Sequence, residues 1–225
     1  MNNISKTDSK KEQIKLIVFD MDSTLIDAET IDELARAAGV FDKVAEITNN
    51  AMAGEINYKD ALSTRVKLLK GLPLKTAQDA VNGIHLMPGA EDLLKYAKSM
   101  GYITAMISGG FRLLSNRIGE ILQMDYVISN DLVIEDGCLT GEFTGPLTAG
   151  DSKERVFEEI VKENNICPEE CVVIGDGAND IGIFKKAGYS IAFNSKPVLH
   201  QYANVVITDK NLRAIIPVLE SFEPE

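Results

Sequence analysis

Histidine, cysteine and basic residues are scarce in this chain, and each shortage removes a class of chemistry. Of 225 residues only two are histidine, His85 and His200. Both stand far along the chain from any acidic or cysteine cluster, so surface or helix-end positions are expected and acid–base work falls to carboxylates or lysine. The three cysteines, Cys138, Cys167 and Cys171, are an odd number, and CPEEC lacks the second ligand pair that a zinc site needs. All three read as reduced thiols, which points to the cytoplasm. Against 34 Asp and Glu there are only 23 Lys and Arg, a formal net charge of -11. A nucleic-acid partner requires a basic footprint that this balance denies. No apolar run is long enough to cross a bilayer, and residues 1–14 are polar and lysine-rich without the apolar centre of a signal peptide, so a frayed tail is expected. A small anionic substrate stays open. It would need a local positive pocket built from a few basic side chains, a metal ion and helix N-termini.

What the chain does have is apolar content, 45%, enough for one large core plus a small accessory unit. Two organisations alternate. From Ala28 to Gly83 the apolar spacing is three and four throughout, in ETIDELARAAGV, DKVAEITNNAMAG, NYKDALSTRVKLLKG and PLKTAQDAVNG, closed by Gly39, Gly54, Gly71 and Gly83. A small helical bundle is predicted there. From Met87 onward strands such as YITAMIS, YVISN, CVVIGD, YSIAF and NVVIT take turns with helical segments, the pattern of a doubly wound parallel sheet. Within LVIEDGCLTGEF, Asp136 and Gly137 sit between apolar residues and predict a β-hairpin, a flap beside the sheet. The expected fold class is therefore α/β, with a core of residues 15–27 and 87–225, a helical cap of residues 28–86 inserted after the first strand, and a small hairpin flap.

Chemistry concentrates where predicted strands end. KLIVF is short, β-branched and unbroken, as a strand buried on both faces would be, and it ends in Asp20 and Asp22. In open parallel sheets ligands bind at that end. Extended alternation would send both carboxylates to one side, where they repel unless a cation or proton intervenes. An acidic turn with Ser23 and Thr24 capping the next segment reads equally well. Ser108, Gly109 and Gly110 follow the strand YITAMI and predict either a phosphate-binding helix N-terminus or a capped turn. GDGAND, Gly175 to Asp180, delivers a third carboxylate, Asp176, to the same edge; the set suits a hard divalent cation, although an Asp-Gly turn with Asn179 capping the next helix is the plain alternative. In the cap, Glu29 fits a first-turn acid and Arg65 a solvated helix residue.

Taken together these motifs resemble the haloacid dehalogenase superfamily, and within it the phosphoserine phosphatases. The resemblance runs from Lys15 to the last helix. It is carried by FDMDST at Phe19 to Thr24, Ser108 in ISGGF, Lys153, and GDGANDIGIFKKAG from Gly175 to Gly188, with further likeness in ETIDELARAAGV, RVKLLKGLP and IAFNSKP. The fold implied is a Rossmannoid core with an inserted helical cap.

The chemistry that the resemblance implies is a two-step hydrolysis of a phosphomonoester. Asp20 would be the nucleophile that becomes phosphorylated, and Asp22 the acid and base. One Mg2+ would be held by the Asp20 side chain, the Asp22 carbonyl and Asp176, with Ser108, Gly109 and Lys153 on the phosphoryl group. Glu29 and Arg65 would bind the ammonium and carboxylate of O-phosphoserine, beside an apolar wall from Met52. Asn179 would touch the phosphate region, and Asp180 would orient Lys153. The implied activity is release of serine from phosphoserine, the last step of serine synthesis. Its rivals are a related phosphotransferase passing the group to an alcohol such as homoserine, a phosphatase for another small phosphomonoester, and a noncatalytic phosphate-binding module. Oligomeric state is not legible in the sequence.

Overall fold

KLIVF is apolar without a break because both faces of the strand it forms are covered. In β1 (Leu16–Phe19), Ile17 and Phe19 enter one hydrophobic cluster while Leu16 and Val18 enter a second on the opposite face. Each such side chain stabilises the fold by ~1.5–3 kcal/mol when fully buried. The computed structural model describes residues 13–52 and 55–222, apart from the Met52 side chain. Most of the predicted frayed tail, residues 1–12, lies outside the described residues, and Ile14 is already buried in the core.

The sheet has seven strands in the order β4-β3-β2-β1-β5-β6-β7. These are β2 (Ile103–Phe111), β3 (Tyr126–Glu135), β4 (Cys138–Thr144), β5 (Cys171–Gly175), β6 (Tyr189–Phe193) and β7 (Val205–Ile207). Every pairing is parallel except β3 with β4. The chain leaves β1 for β2 on one side and later returns to β5 on the other, so the carboxyl ends of β1, β2 and β5 meet at a topological switch point. Helices cover both faces: α5 (Ala90–Ser99), α6 (Arg112–Leu122) and α10 (Ile216–Phe222) on one, α7 (Ser152–Glu163) and the short α8 (Ile181–Phe184) and α9 (Pro197–His200) on the other.

Among the described residues, four α-helices lie between β1 and α5: α1 (Thr30–Ala37), α2 (Phe41–Met52), α3 (Tyr58–Lys67) and α4 (Leu74–Asn82). The two chain crossings that lead into and out of them run side by side. Ile26 bridges Leu86, and Asp27 N donates to His85 O at 3.1 Å. The bundle is also fastened to the core at both ends of α4. The Arg117 guanidinium of α6 donates to the carbonyls of Val81, Asn82 and Ile84, at 3.0, 3.3 and 3.0 Å, at and just beyond the end of the helix. At the other end Leu74 N donates to Gly137 O at 2.8 Å.

That second fastening gives the β3–β4 hairpin its place. Asp136 and Gly137 make the predicted turn with left-handed φ values of 48° and 74°. The hairpin is no detached flap: β3 continues out of the parallel sheet and β4 forms its edge, with Gly71 N and Leu139 N exchanging bonds with Leu139 O and Leu72 O at 2.8 and 2.9 Å. His85 and His200 are exposed, with His200 closing α9, and the three cysteines are free thiols, as the sequence suggested.

Candidate active site

A cavity of about 820 Å³ lies between the switch point and the helical bundle. The core gives it Asp20, Asp22, Lys153, Asp176 and Asn179, and the bundle gives it Glu29 and Arg65. Two predicted residues stand apart from the lining, Asp180 and Ser108, both fully buried, and the side chain of Met52 lies outside the described residues.

Asp20 and Asp22 reach the cavity by a route other than strand alternation. β1 stops at Phe19, and residues 21–25 form an irregular helical turn broken at Asp22 (ψ 134°) and at Ser23, whose φ is +55°. Asp20 N is tied to Ile174 O of β5 at 2.9 Å, and Asp20 Oδ1 accepts from Met21 N at 2.7 Å. Its second oxygen, Oδ2, accepts from Lys153 Nζ at 2.9 Å and from Asn179 Nδ2 at 3.0 Å. The carboxylate is thus fixed through both oxygens at 4% exposure.

Lys153 is pinned in turn. Its Nζ lies 2.7 Å from Asp180 Oδ1, and Asp180 Oδ2 accepts weakly from Gly177 N at 3.4 Å. Burial works against the ammonium, but Asp180 and Asp20 outweigh it, and Lys153 holds its proton more tightly than a free lysine. A charge pair buried this deeply needs all its partners, since removing one leaves an uncompensated ion.

Burial pushes the Asp22 carboxyl up to about 7, with Glu29 and Asp20 adding to the rise and the donors of Thr30 opposing it. Thr30 gives both its backbone N–H, at 2.9 Å, and its hydroxyl to Asp22 Oδ1. Glu29, raised chiefly by burial, accepts from Ser23 Oγ at 2.8 Å. Arg65 donates to Thr48 Oγ1 at 3.4 Å and to Ala61 O at 3.3 Å, which leaves its guanidinium facing the cavity.

Ser108, Gly109 and Gly110 correct one expectation. They do not form a helix N-terminus: β2 continues through them to Phe111, with a register shift against β3 between Ile107 and Phe111, and α6 begins only at Arg112. Ser108 Oγ accepts from Gly110 N at 3.0 Å. Both glycines allow a close approach of site side chains. A Cβ on Gly109 would stand 2.3 Å from the Tyr58 hydroxyl, and one on Gly110 would stand 2.8 Å from Asp22 Oδ2.

Carboxylates of Asp20, Asp176 and Asp180, all buried, bring one oxygen each within 4.8 Å of the others. Burial, then Asp20, Asp180 and Glu29, push Asp176 up to about 8, and Asp180 rises to about 6 through burial against the pull of Lys153. Carboxyls that cling to protons for want of positive charge are what a divalent cation would ionise. The sequence reading grouped Asp20 and Asp176 with the main-chain carbonyl of Asp22; the Asp180 carboxylate is a further oxygen donor beside the same two side chains.

Several lining residues escaped sequence reasoning, among them Asp32, Tyr58 and Lys196. Tyr58, first in α3 behind the Asn57 cap, brings its hydroxyl against Gly109, and Lys196 enters from the loop between β6 and α9. Only the tertiary fold brings them to one cavity.

Residues 14–188 match the family profile of the haloacid dehalogenase-like hydrolases. Phosphoserine phosphatase of Methanocaldococcus jannaschii is 45% identical over 206 residues, spanning 92% of this chain and 98% of the relative. Two solved structures superpose with a TM-score of 0.88 at 44% identity, covering 92% of this chain and 99% of theirs: a phospho-aspartyl intermediate analogue of phosphoserine phosphatase, and a substrate-bound phosphoserine phosphatase complex.

Proposed function

We propose, from the premise that this chain belongs to the haloacid dehalogenase-like hydrolase family, that it hydrolyses O-phosphoserine to serine and phosphate through a phosphorylated Asp20. The observation that carries this reading is one cavity shared by two sets of groups. A fixed carboxylate with its acid partner lies at the sheet, and an opposite-charge pair, Glu29 and Arg65, lies across from it in the bundle. A phosphoserine molecule has the complementary ends: a phosphoryl group for the first set, an ammonium and a carboxylate for the second.

Asp20 attacks phosphorus, and the bond to the serine oxygen breaks as that to the Asp20 carboxylate forms. Asp22, whose carboxyl is pushed up to about 7, gives its proton to the departing serine oxygen. In the second half Asp22 takes a proton from water, the water oxygen attacks phosphorus, and phosphate leaves with Asp20 restored. Lys153 and Asn179, already on Asp20 Oδ2, stand where they also meet phosphoryl oxygens. Ser108 and the N–H of Gly109 join them; a hydroxyl that accepts from Gly110 still has its own proton to give. Asp180 acts through Lys153, which it holds in place.

Asp20, Asp176 and the main-chain carbonyl of Asp22 would hold one Mg2+, which when bound supplies positive charge to the phosphoryl oxygens. We take residues 28–86 as the cap that closes over the amino-acid end of the substrate, with Met52 beside it. We take the setting to be the cytoplasm and the pathway to be serine synthesis, as the likeness to the phosphoserine phosphatases implies.

The test is phosphate release from O-phosphoserine with Mg2+, alone and with added alcohols. Release with free serine as co-product supports hydrolysis. Transfer to the alcohol would make the chain a phosphotransferase, and no turnover of any phosphomonoester would leave a binding module.

A further inference from the structure

The charged side chains of the cavity are predominantly acidic, and the Mg2+ proposed for its floor would offset that only at the floor. Five carboxylates face it against three cations, in a chain of net charge -11, yet its substrate is an anion. Lys153 is committed to Asp20 and Asp180 by ion pairs of 2.9 and 2.7 Å and lies buried at the floor. Arg65 is half-buried in the bundle and bonded to Thr48. The third cation, Lys196, differs from both. It is exposed, and among the described residues it has no carboxylate within ion-pair distance.

Its backbone is nevertheless held. Lys196 N donates to Asp176 O at 2.9 Å, and Pro197 follows as the first residue of α9, so the stem of the lysine is anchored to the loop that carries the acidic cluster. The ammonium acts on groups from both sides of the cavity: its field opposes the rise in proton affinity of Glu29, of Asp32 in α1 and of Asp176. An exposed lysine is therefore poised between core and bundle, at the solvent side, in the field of Glu29, Asp32 and Asp176 but, among the described residues, in an ion pair with none of them.

We propose that Lys196 is the substrate-capture residue of this site: it draws the phosphomonoester through an acidic mouth and hands it to Lys153 and Arg65, without taking part in bond making or breaking. Rim charges of this kind act on association and on its salt dependence, and leave the chemical step alone. Lys196 reads total charge and Arg65 reads the amino-acid end. Phosphoserine and a simple aryl phosphate both arrive with a net charge of roughly −2, so capture by Lys196 should not distinguish them.

The inference rests on the phosphatase reading, and two substrates keep the two apart. Steady-state kinetics of wild type, Lys196→Met and Lys196→Arg with Mg2+ are measured on O-phosphoserine and on 4-nitrophenyl phosphate, from low to about 0.5 M salt. Lys196→Met should lower kcat/KM about 10- to 30-fold at low salt, alike on both substrates, with kcat within about twofold; the deficit should shrink to about threefold or less at high salt. Lys196→Arg should restore most of it. An unchanged kcat/KM at low salt, a loss that falls equally on kcat, or a loss indifferent to salt would each overturn the capture role. Wild type that cleaves the aryl ester but not phosphoserine would sink the substrate reading, while the salt-dependent deficit of Lys196→Met on the aryl ester would still stand.

Discussion

Thr30, the first residue of α1, gives both its backbone N–H and its hydroxyl to one oxygen of Asp22, Oδ1. The residue before it is Glu29, which faces the cavity. The group proposed to move the proton is therefore aimed by the same helix start that is proposed to hold the substrate ammonium. Backbone and hydroxyl donors on one oxygen leave Oδ2 to point elsewhere, and the close approach of Gly110 to Oδ2 marks where it points.

Thr30→Val keeps the shape and the N–H but deletes the hydroxyl. A lost hydrogen bond to a charged group is worth ~1.5–3 kcal/mol, or roughly 10- to 150-fold in rate. The loss should appear in kcat/KM, which reports the steps up to departure of the alcohol, for phosphoserine, whose alkoxide leaves only with a proton, and hardly at all for 4-nitrophenyl phosphate, whose phenolate needs none. Asp22→Asn should show the same asymmetry in kcat/KM in stronger form, while kcat falls on both esters because both share the water-activating step. Equal losses of kcat/KM on both esters would remove Asp22 from acid catalysis and Thr30 from aiming it.

Asp20→Asn should abolish turnover of both esters, by a factor of ~10⁴ or more, because the nucleophile and not merely its orientation is gone. The variant is nearly isosteric, and Asn179 and the Asp180 to Lys153 pair remain. Intact-mass analysis after mixing with substrate should find phosphoryl transfer to wild type or to Asp22→Asn, and none to Asp20→Asn. Phosphorylation that survives in Asp20→Asn would place the nucleophile on another residue.

Much of this fold was legible because it rests on local periodicity. The unbroken apolar run of β1, the three-and-four spacing of α1 to α4 and the Asp136-Gly137 turn each reflect a local physical demand, and each element forms where that demand put it. The Ser108 segment was misread for a physical reason. Ser-Gly-Gly offers the small, polar residues of a helix start, but β2 runs on because Phe111 pairs with Asn130 and glycine is needed to clear Asp22 and Tyr58. Asp20 and Asp22 were expected together by alternation, whereas a left-handed Ser23 in a kinked turn does the work. Lys196 and Thr30 lie in segments that carried the family likeness, but their place at the site, like that of Tyr58, was not legible because convergence from helix starts and loops is purely tertiary. The pairing of Asp180 with Lys153 was anticipated only by family resemblance.

Chelation should silence the protein and Mg2+ should restore it, since the Asp20, Asp176 and Asp180 carboxylates crowd within 4.8 Å with a single lysine to neutralise them. Asp176→Ala should raise the Mg2+ concentration for half-maximal rate by one to several orders of magnitude, roughly the effect of losing one charged ligand. Full activity in excess chelator would contradict the whole arrangement of carboxylates as a cation site.

The residues proposed to set specificity lie across the cavity from those proposed for the chemistry, and that separation makes the proposal testable. Glu29 and Arg65 reach the cavity from the bundle, whereas Asp20, Lys153 and Asn179 reach it from the sheet and bond to one another without help from either. Binding energy from the amino-acid end of phosphoserine should help close the bundle over the reacting group and exclude water, so removing its partners should harm phosphoserine far more than an ester that lacks that end. Loss of a charged contact in a closed pocket costs ~2–5 kcal/mol, or roughly 30-fold to several thousand-fold in kcat/KM. A solvated helix residue would cost almost nothing. Arg65→Ala and Glu29→Ala should each lower the ratio of phosphoserine to 4-nitrophenyl phosphate efficiency by at least the smaller factor. Should both variants leave that ratio unchanged, the substrate would retreat to an unspecified small phosphomonoester, and the proposed chemistry at Asp20 would be untouched, because none of its contacts passes through Arg65 or Glu29.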